Sequence, residues 1–134
     1  MKAYNWATED IYQSQKDWEE DFSKASEMTD FSEFKGKLCE KQGFIACMKK
    51  QEKISRIIDK LSVYAYMKHD ENTADANGDA LLSRVMSLST KVSENSAFIL
   101  PELTALDENI LRSFISDKDL SEYDYFLKEI LNQK

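Results

Sequence analysis

The sequence has 134 residues, of which 42% are hydrophobic and 11% aromatic, and its net charge is −7. This length suffices for one domain with its own core, whereas the acidic balance argues against a protein that binds the phosphate backbone of nucleic acids. Only three glycines and one proline are present. So few turn-forming residues favour an all-α fold.

The apolar segments and the two cysteines predict a cytoplasmic protein. The longest apolar run, AFIL at 97–100, is too short to span a membrane, and the start MKAYNWATED lacks the hydrophobic core of a signal peptide. Cys39 and Cys47 lie eight residues apart, without the CxxC spacing of a zinc or redox pair. We therefore expect reduced thiols and no contact with a membrane.

The first predicted element is a helix near the N-terminus. Trp6 is expected in an irregular segment that precedes it. Ser14, followed three residues later by Asp17, resembles a capping box that starts the helix. We expect this helix to continue to Phe34, where Gly36 supplies a C′ residue that stops it.

Two long helices are predicted to follow. From about Gln42 to Met67 or beyond, apolar residues recur with a helical period, which indicates a helix of about 30 residues and roughly 45 Å. After the polar corner ADANGD at 74–79, a second apolar period runs to a break near Pro101. Long amphipathic helices joined by a short corner form an antiparallel hairpin.

Two shorter helices, near 107–115 and from about 121 to 132, complete the predicted chain. The predicted fold class is therefore all-α: a helical domain with two long antiparallel helices plus shorter flanking helices. We expect it to form a single domain over residues 1–134.

A basic face is predicted on the first long helix. Its members share a spacing of four, three and four residues, which places them on one side of the helix; they are Lys49, Lys53, Arg56 and Lys60. The favoured interpretation is a solvated face opposite acidic helices. A contact with a peptide carboxylate or with a neighbouring lobe is the alternative.

The stretch YAYMKHDENTADA, at 64–76, contains the only histidine of the chain and, together with the residues that follow it, partly resembles a calcium loop. With Gly78 at position 6 of such a loop, Asp75 and Asn77 fit positions 3 and 5. Position 1 would be Thr73 and position 12 would be Arg84, neither of which supplies the required carboxylate. This pattern excludes an EF-hand.

A zinc site in the same stretch is disfavoured for a similar reason. His69 has no second histidine and no HExxH motif to join it, although Asp70 and Glu71 could hold a metal weakly. The remaining interpretation is a helical corner, in which Asp75 or Asn77 caps the second long helix. Acidic residues around the corner suit that N-terminus through the helix dipole.

No other catalytic pattern is evident in the sequence. It contains no GxSxG, no glycine-rich phosphate loop and no paired-carboxylate motif, and neither cysteine has a histidine in a recognisable context. On its residues alone, the chain is an acidic helical domain without an evident active site.

The order of several short motifs is more informative than their chemistry. They are NW…EDIY at 5–12, GKL at 36–38, VYAYMKHDENTAD at 63–75 and FILPELTAL at 98–106. Together they resemble the N-terminal helical domain of oligoendopeptidase F, a zinc metallopeptidase of the thimet-oligopeptidase-like family, over nearly the whole chain. In that family an HExxH helix and a later glutamate hold the zinc, far downstream of this domain. No such motif is present here, so no catalytic or metal residue is carried over.

The resemblance implies a supporting role in a larger enzyme. We expect a non-catalytic lobe that helps to wall the substrate cavity, with the catalytic lobes of the parent peptidase and short peptides as partners. Zinc is expected in the catalytic lobe of the parent, and this chain is expected to be inactive alone. Since the catalytic lobes are absent, the chain looks like an excised domain or a truncated gene product.

Four residues are candidates for facing the cavity or a neighbouring lobe: Tyr64, Tyr66, His69 and Asp70. Packing in the core is the favoured interpretation for the tyrosines, and exposure to solvent for His69. The alternative function is a standalone helical module that binds a partner protein through an exposed apolar groove. A reading frame that continues into HExxH would favour the peptidase over this module.

Overall fold

The computed structural model describes residues 11–71 and 76–133. Those residues form α-helices and two short 3-10 segments, with no β-strand among them. The α-helices are α1 (Gln15–Ser26), α2 (Lys41–Glu71), α3 (Ala76–Ser96), α4 (Ile99–Thr104), α5 (Glu108–Ile115) and α6 (Asp124–Asn132), and the 3-10 segments are Ser32–Phe34 and Lys118–Tyr123. The predicted all-α class, with two long helices and shorter flanking ones, is confirmed.

Some predictions fall outside this part of the chain. They concern the N-terminal segment around Trp6 and positions 72–75 of the polar corner, including the proposed cap Asp75. Within the described ranges, none of the helices is both long enough and apolar enough to cross a lipid bilayer.

The chain divides into two compact units. The first comprises Met1–Asp30 and Gln51–Glu94, and the second Phe31–Lys50 and Asn95–Lys134. Helix α2 therefore contributes its first turns to the second unit and the remainder to the first. A single domain over residues 1–134 stays a prediction.

Helix α1 begins where the sequence predicts but ends earlier. The hydroxyl oxygen of Ser14 accepts a hydrogen bond from the backbone N–H of Asp17, at 3.4 Å, which confirms the predicted cap. The predicted continuation to Phe34 is wrong, because α1 ends at Ser26. The hydroxyl of Thr29 donates to the last carbonyl of the helix, that of Ser26, and thereby replaces a backbone donor.

Helix α2 has 31 residues and closely matches the predicted length of about 30. Before it, Gly36 adopts a φ of 77°, in the left-handed region that favours glycine, and it directly follows the C-cap Lys35 of the first 3-10 segment. The prediction that Gly36 stops the first helix is therefore wrong, because α1 ends at Ser26 and Gly36 instead follows the end of the first 3-10 segment.

Helix α3 ends at Ser96, short of the predicted break near Pro101. A proline clashes with the carbonyl four residues before it, which here belongs to Ala97, so a continuous helix through both residues would be kinked or broken. The chain breaks at 97–98, and Ile99 starts the separate helix α4. Pro101 then lies in the first turn of α4, where a missing N–H costs little.

The core of the first unit is built around Trp18, which is fully buried. Its indole Nε1 donates to the backbone carbonyl of Leu61, at 3.1 Å, and this bond joins α1 to the C-terminal half of α2. The neighbouring residue Glu19 forms an ion pair with Arg84 and joins α1 to α3. Helix α1 therefore contacts both long helices through two consecutive residues.

The C-terminal end of α2 lies against the N-terminal end of α3. The Nε2 atom of His69 is 3.2 Å from a carboxylate oxygen of Asp79. Helix α1 also contacts α2 at Leu61, before His69, and α3 at Arg84, after Asp79, so the two long helices run antiparallel, as predicted. Asn77 is the second residue of α3, and its side-chain nitrogen donates to Gln15 at 3.1 Å.

In the second unit, the aromatic side chain of Phe44 connects the start of α2 to the C-terminal elements. Its ring lies 5.3 Å from that of Phe114 in α5 and 5.5 Å from that of Tyr123, the latter at 86°. Helix α5 coincides with the helix predicted near 107–115, with Asp107 as its N-cap. Of the helix predicted from about 121, only Asp124–Asn132 is α-helical, because a 3-10 segment precedes it.

Candidate functional site

The two candidate tyrosines lie on different sides of α2. Tyr64 is only 3% exposed, whereas Tyr66 is 48% exposed. Residues two apart on an α-helix point about 200° away from each other, so only one of the two can face the core. The interpretation of core packing is right for Tyr64 and wrong for Tyr66.

Tyr64 has a packing role in the first unit. Its ring meets that of Tyr12 edge to face at a centroid distance of 5.5 Å, and the ammonium of Lys68 lies 5.6 Å from its centre. Burial raises the pKa of Tyr64. The hydroxyl of Tyr12 donates to Asp21 at 2.7 Å, which extends this cluster to α1.

His69 lies between two carboxylates. Its Nδ1 is 3.5 Å from an oxygen of Asp70, and its Nε2 is 3.2 Å from an oxygen of Asp79. Its side chain is one third exposed, so the expected exposure to solvent is only partial. Across the described part of the chain, no group of three or more histidine, cysteine, aspartate or glutamate residues could hold a metal ion.

The predicted basic face of α2 is only partly neutralised. In the second unit the ammonium of Lys49 pairs with Glu122 at 2.8 Å, as expected for a face opposite acidic helices. In the first unit Lys53 and Arg56 are exposed, and neither forms an ion pair with a described residue.

A groove that the sequence did not predict lies in the first unit, between the C-terminal half of α1 and the middle of α3. Its volume is about 350 Å³, which falls within the usual range of ligand pockets. It combines apolar, hydroxyl and cationic side chains, among them Phe22, Leu88, Ser26, Ser87, Arg84 and Lys91.

Arg84 is held in one position at the edge of this groove. Its guanidinium forms two hydrogen bonds with the carboxylate of Glu19, at 2.6 and 2.7 Å. It also lies 4.5 Å from the ring centre of Phe22 and 4.9 Å from that of Trp18. The hydrogen bonds with Arg84 lower the pKa of Glu19, and those with Glu19 raise the pKa of Arg84. The charge of Arg84 is therefore neutralised locally.

Lys91 carries the remaining positive charge of the groove. It lies seven residues after Arg84, which is two helical turns along α3, and it is exposed. It forms no ion pair with any residue in 11–71 or 76–133. The groove thus presents one uncompensated cation within a chain whose net charge is −7.

The sequence could not identify this groove, because its parts are distant along the chain. Glu19 and Arg84 are separated by 65 positions. An ion pair between residues so far apart leaves no recognisable pattern in the sequence. Phe22 also gives no indication, because it follows the ordinary apolar period of a helix. Only the packing of α1 against α3 brings the groove residues together.

Comparison with known proteins shows relatives among bacterial peptidases. The chain is 27% identical to oligopeptidase PepF of Bacillus subtilis, with 96% of this chain and 20% of the relative aligned. It is 29% identical to the group B oligopeptidase PepB of Streptococcus agalactiae, with 99% and 23% aligned. It is 27% identical to an oligoendopeptidase F of Lactococcus lactis subsp. cremoris, with 96% and 22% aligned.

The predicted resemblance to oligoendopeptidase F is therefore confirmed. The chain spans about a fifth of the length of these relatives, as expected for one domain of a longer protein. A crystal structure of a candidate peptidase from Chlamydophila abortus has the same fold, with a TM-score of 0.84 and 23% identity over 95% of this chain and 22% of that one. No family model matches the chain.

Proposed function

We propose that this chain is the non-catalytic N-terminal lobe of an oligoendopeptidase F-like zinc metalloendopeptidase that cleaves short peptides in the cytoplasm. The observation that supports this most strongly is the coverage of the relatives. Nearly the whole chain aligns with them, yet it accounts for only 20–23% of their length. The catalytic lobes, including the zinc site, would lie in the remaining part of such a protein.

In this role the lobe helps to wall the substrate cavity. The exposed candidates support such a face, since Tyr66 and Asp70 are four residues apart and therefore lie on the same side of α2. Tyr64 would act indirectly, through its packing against Tyr12. A helical wall of this kind admits short unstructured peptides and excludes folded proteins by size.

The lobe itself performs no bond-breaking step in this proposal. Hydrolysis of a peptide by a zinc enzyme requires a metal-bound water and a carboxylate that accepts its proton. The sequence contains one histidine and no HExxH helix, so it cannot supply the ligand set of this family. Its contribution is to shape the cavity and to stabilise the longer protein.

A chimeric enzyme tests this role. The segment of Bacillus subtilis PepF that aligns with this chain is deleted, or replaced by this chain, and cleavage of a peptide series of increasing length is measured. We expect the deleted form to lose discrimination by length and the chimera to regain it. Identical length profiles for the deleted form and the chimera, at equal metal content, would contradict the proposal.

A further inference from the structure

We propose that the groove between α1 and α3 binds a short peptide segment in which a large apolar side chain stands next to a carboxylate. This site lies entirely in the first unit and requires no other lobe. The inference therefore goes beyond the role as a cavity wall and does not depend on it.

The apolar part of the ligand would contact the base of the groove. Leu88 is only 5% exposed there, and Phe22 is half-buried beside it. Phe22 is also fixed in orientation, since its ring stacks on Trp18 at 5.2 Å and 14° and the guanidinium of Arg84 covers it. A rigid aromatic and aliphatic base favours an apolar side chain, because little ordering is required on binding.

The positive charge of the groove favours binding of an anion next to Lys91. Glu19 already neutralises Arg84, so the free positive charge belongs to Lys91. A second hollow, of about 530 Å³, continues along α3 and shares Ser87 and Lys91 with the groove. Its lining also includes Glu94, about one helical turn after Lys91, which would repel a carboxylate placed beyond Lys91. The anion is therefore expected at Lys91, between the two hollows.

The size of the groove favours a peptide segment over a protein surface. A stable protein interface buries roughly 800 Å² on each partner over a broad surface. A hollow of about 350 Å³ instead accommodates one or two side chains. Ser26 and Ser87 line the hollow; the hydroxyl of Ser26 already donates to the carbonyl of Phe22 and can only accept from the backbone of such a segment, whereas that of Ser87 can donate or accept.

A pair of blocked dipeptides tests the proposal. The ¹⁵N-labelled chain is titrated with acetyl-Phe-Glu-amide and with its neutral isostere acetyl-Phe-Gln-amide, and backbone amide shifts are followed by NMR. We expect saturable shifts confined to positions 22–29 and 83–94, and binding of the glutamate peptide about threefold tighter or more. This preference should weaken as salt is added.

Two charge-removing variants distinguish the site from a general charge effect. Lys91→Gln should abolish the preference for the glutamate peptide. Lys53→Gln is the matched control, because it removes another exposed lysine of the same unit, outside the groove, and it should leave the preference intact. Unchanged amide spectra of the free variants verify their folding. The absence of saturable shifts, equal binding of both peptides, or equal loss in both variants would overturn the inference.

Discussion

Gly78, in the first turn of α3, packs directly against the backbone of His69, in the last turn of α2. A Cβ atom placed on Gly78 would lie 2.6 Å from the Cα and 2.8 Å from the N of His69. Backbone atoms cannot yield as a flexible side-chain end can. The close approach of the two long helices at this end therefore depends on glycine.

Replacement of this glycine should destabilise the first unit. We expect Gly78→Ala to lower the free energy of unfolding by about 1–2 kcal/mol, because the helices must separate. This value is the net change, because the cost of separating the helices exceeds the gain of about 1 kcal/mol that alanine provides inside a helix. Denaturant unfolding measures the difference. Ser89→Ala, on the exposed side of α3, is the control and should be neutral or stabilising. A Gly78→Ala variant as stable as Ser89→Ala would refute the close packing.

The ion pair between Glu19 and Arg84 should make stability depend on pH. Arg84 lowers the pKa of Glu19, so the pair stabilises the fold above the unfolded pKa of about 4.3 and its contribution is lost as the pH falls through the folded pKa. Both side chains are about 40% exposed, which limits the contribution to about 1 kcal/mol or less.

This dependence is measured as the Tm of the native chain and of Glu19→Gln between pH 6 and pH 3. We expect the native chain to melt higher at pH 6 and the two curves to converge as the pH falls below about 4. Glu20→Gln, at a neighbouring exposed position, should show no comparable gap. A gap that persists undiminished at pH 3 would mean that the pair does not contribute in this way.

In the second unit, Glu102 caps the backbone around Gly36. Its carboxylate accepts from the backbone N–H of Gly36 at 2.8 Å and from that of Leu38 at 3.1 Å. Glu102→Gln would keep one acceptor oxygen and place the amide NH2, a donor, against the other of these two N–H groups. We expect a loss of about 1–2 kcal/mol in chemical denaturation. The exposed control Glu40→Gln should change stability little. Equal stability of the two variants would contradict the capping role.

The two cysteines should differ strongly in reactivity. Cys39 is exposed, whereas Cys47 is fully buried, and burial raises the pKa of Cys47 to about 11. A thiol reacts as its thiolate. We expect a thiol-specific reagent at neutral pH to modify one cysteine of the native chain quickly and the second only on unfolding. Mass mapping should identify the first as Cys39, and rapid native labelling of Cys47 would contradict its burial.

The sequence predicted those parts of the fold that depend on local signals. The apolar period of α2 is uninterrupted by proline, so its length of 31 residues closely matches the predicted value. The predicted ends of α1 and α3 were wrong. At the end of α1 the hydroxyl of Thr29 bonds to the last carbonyl, and beyond α3 the carbonyl four residues before Pro101 clashes with the proline ring. Such effects act over a few residues and do not disturb the apolar period.

The candidate site was less predictable, since it depends on contacts between distant residues. The bonds of Glu102 to Gly36 span 66 positions, and those of Glu19 to Arg84 span 65. Tyr64 and Tyr66 show the same difficulty within one helix. When aromatic residues lie on both sides of a helix, the sequence does not indicate which side packs against the core. The motif order indicated the relatives, whereas only the fold revealed the groove.

The central claim is that this lobe belongs to a longer zinc peptidase. Sequencing the encoding gene through and beyond the codon for Lys134 tests it most directly. The account predicts one reading frame that continues into a long segment encoding an HExxH helix and a later glutamate. A stop codon directly after the codon for Lys134, with no separate partner chain that carries an HExxH segment, would contradict it.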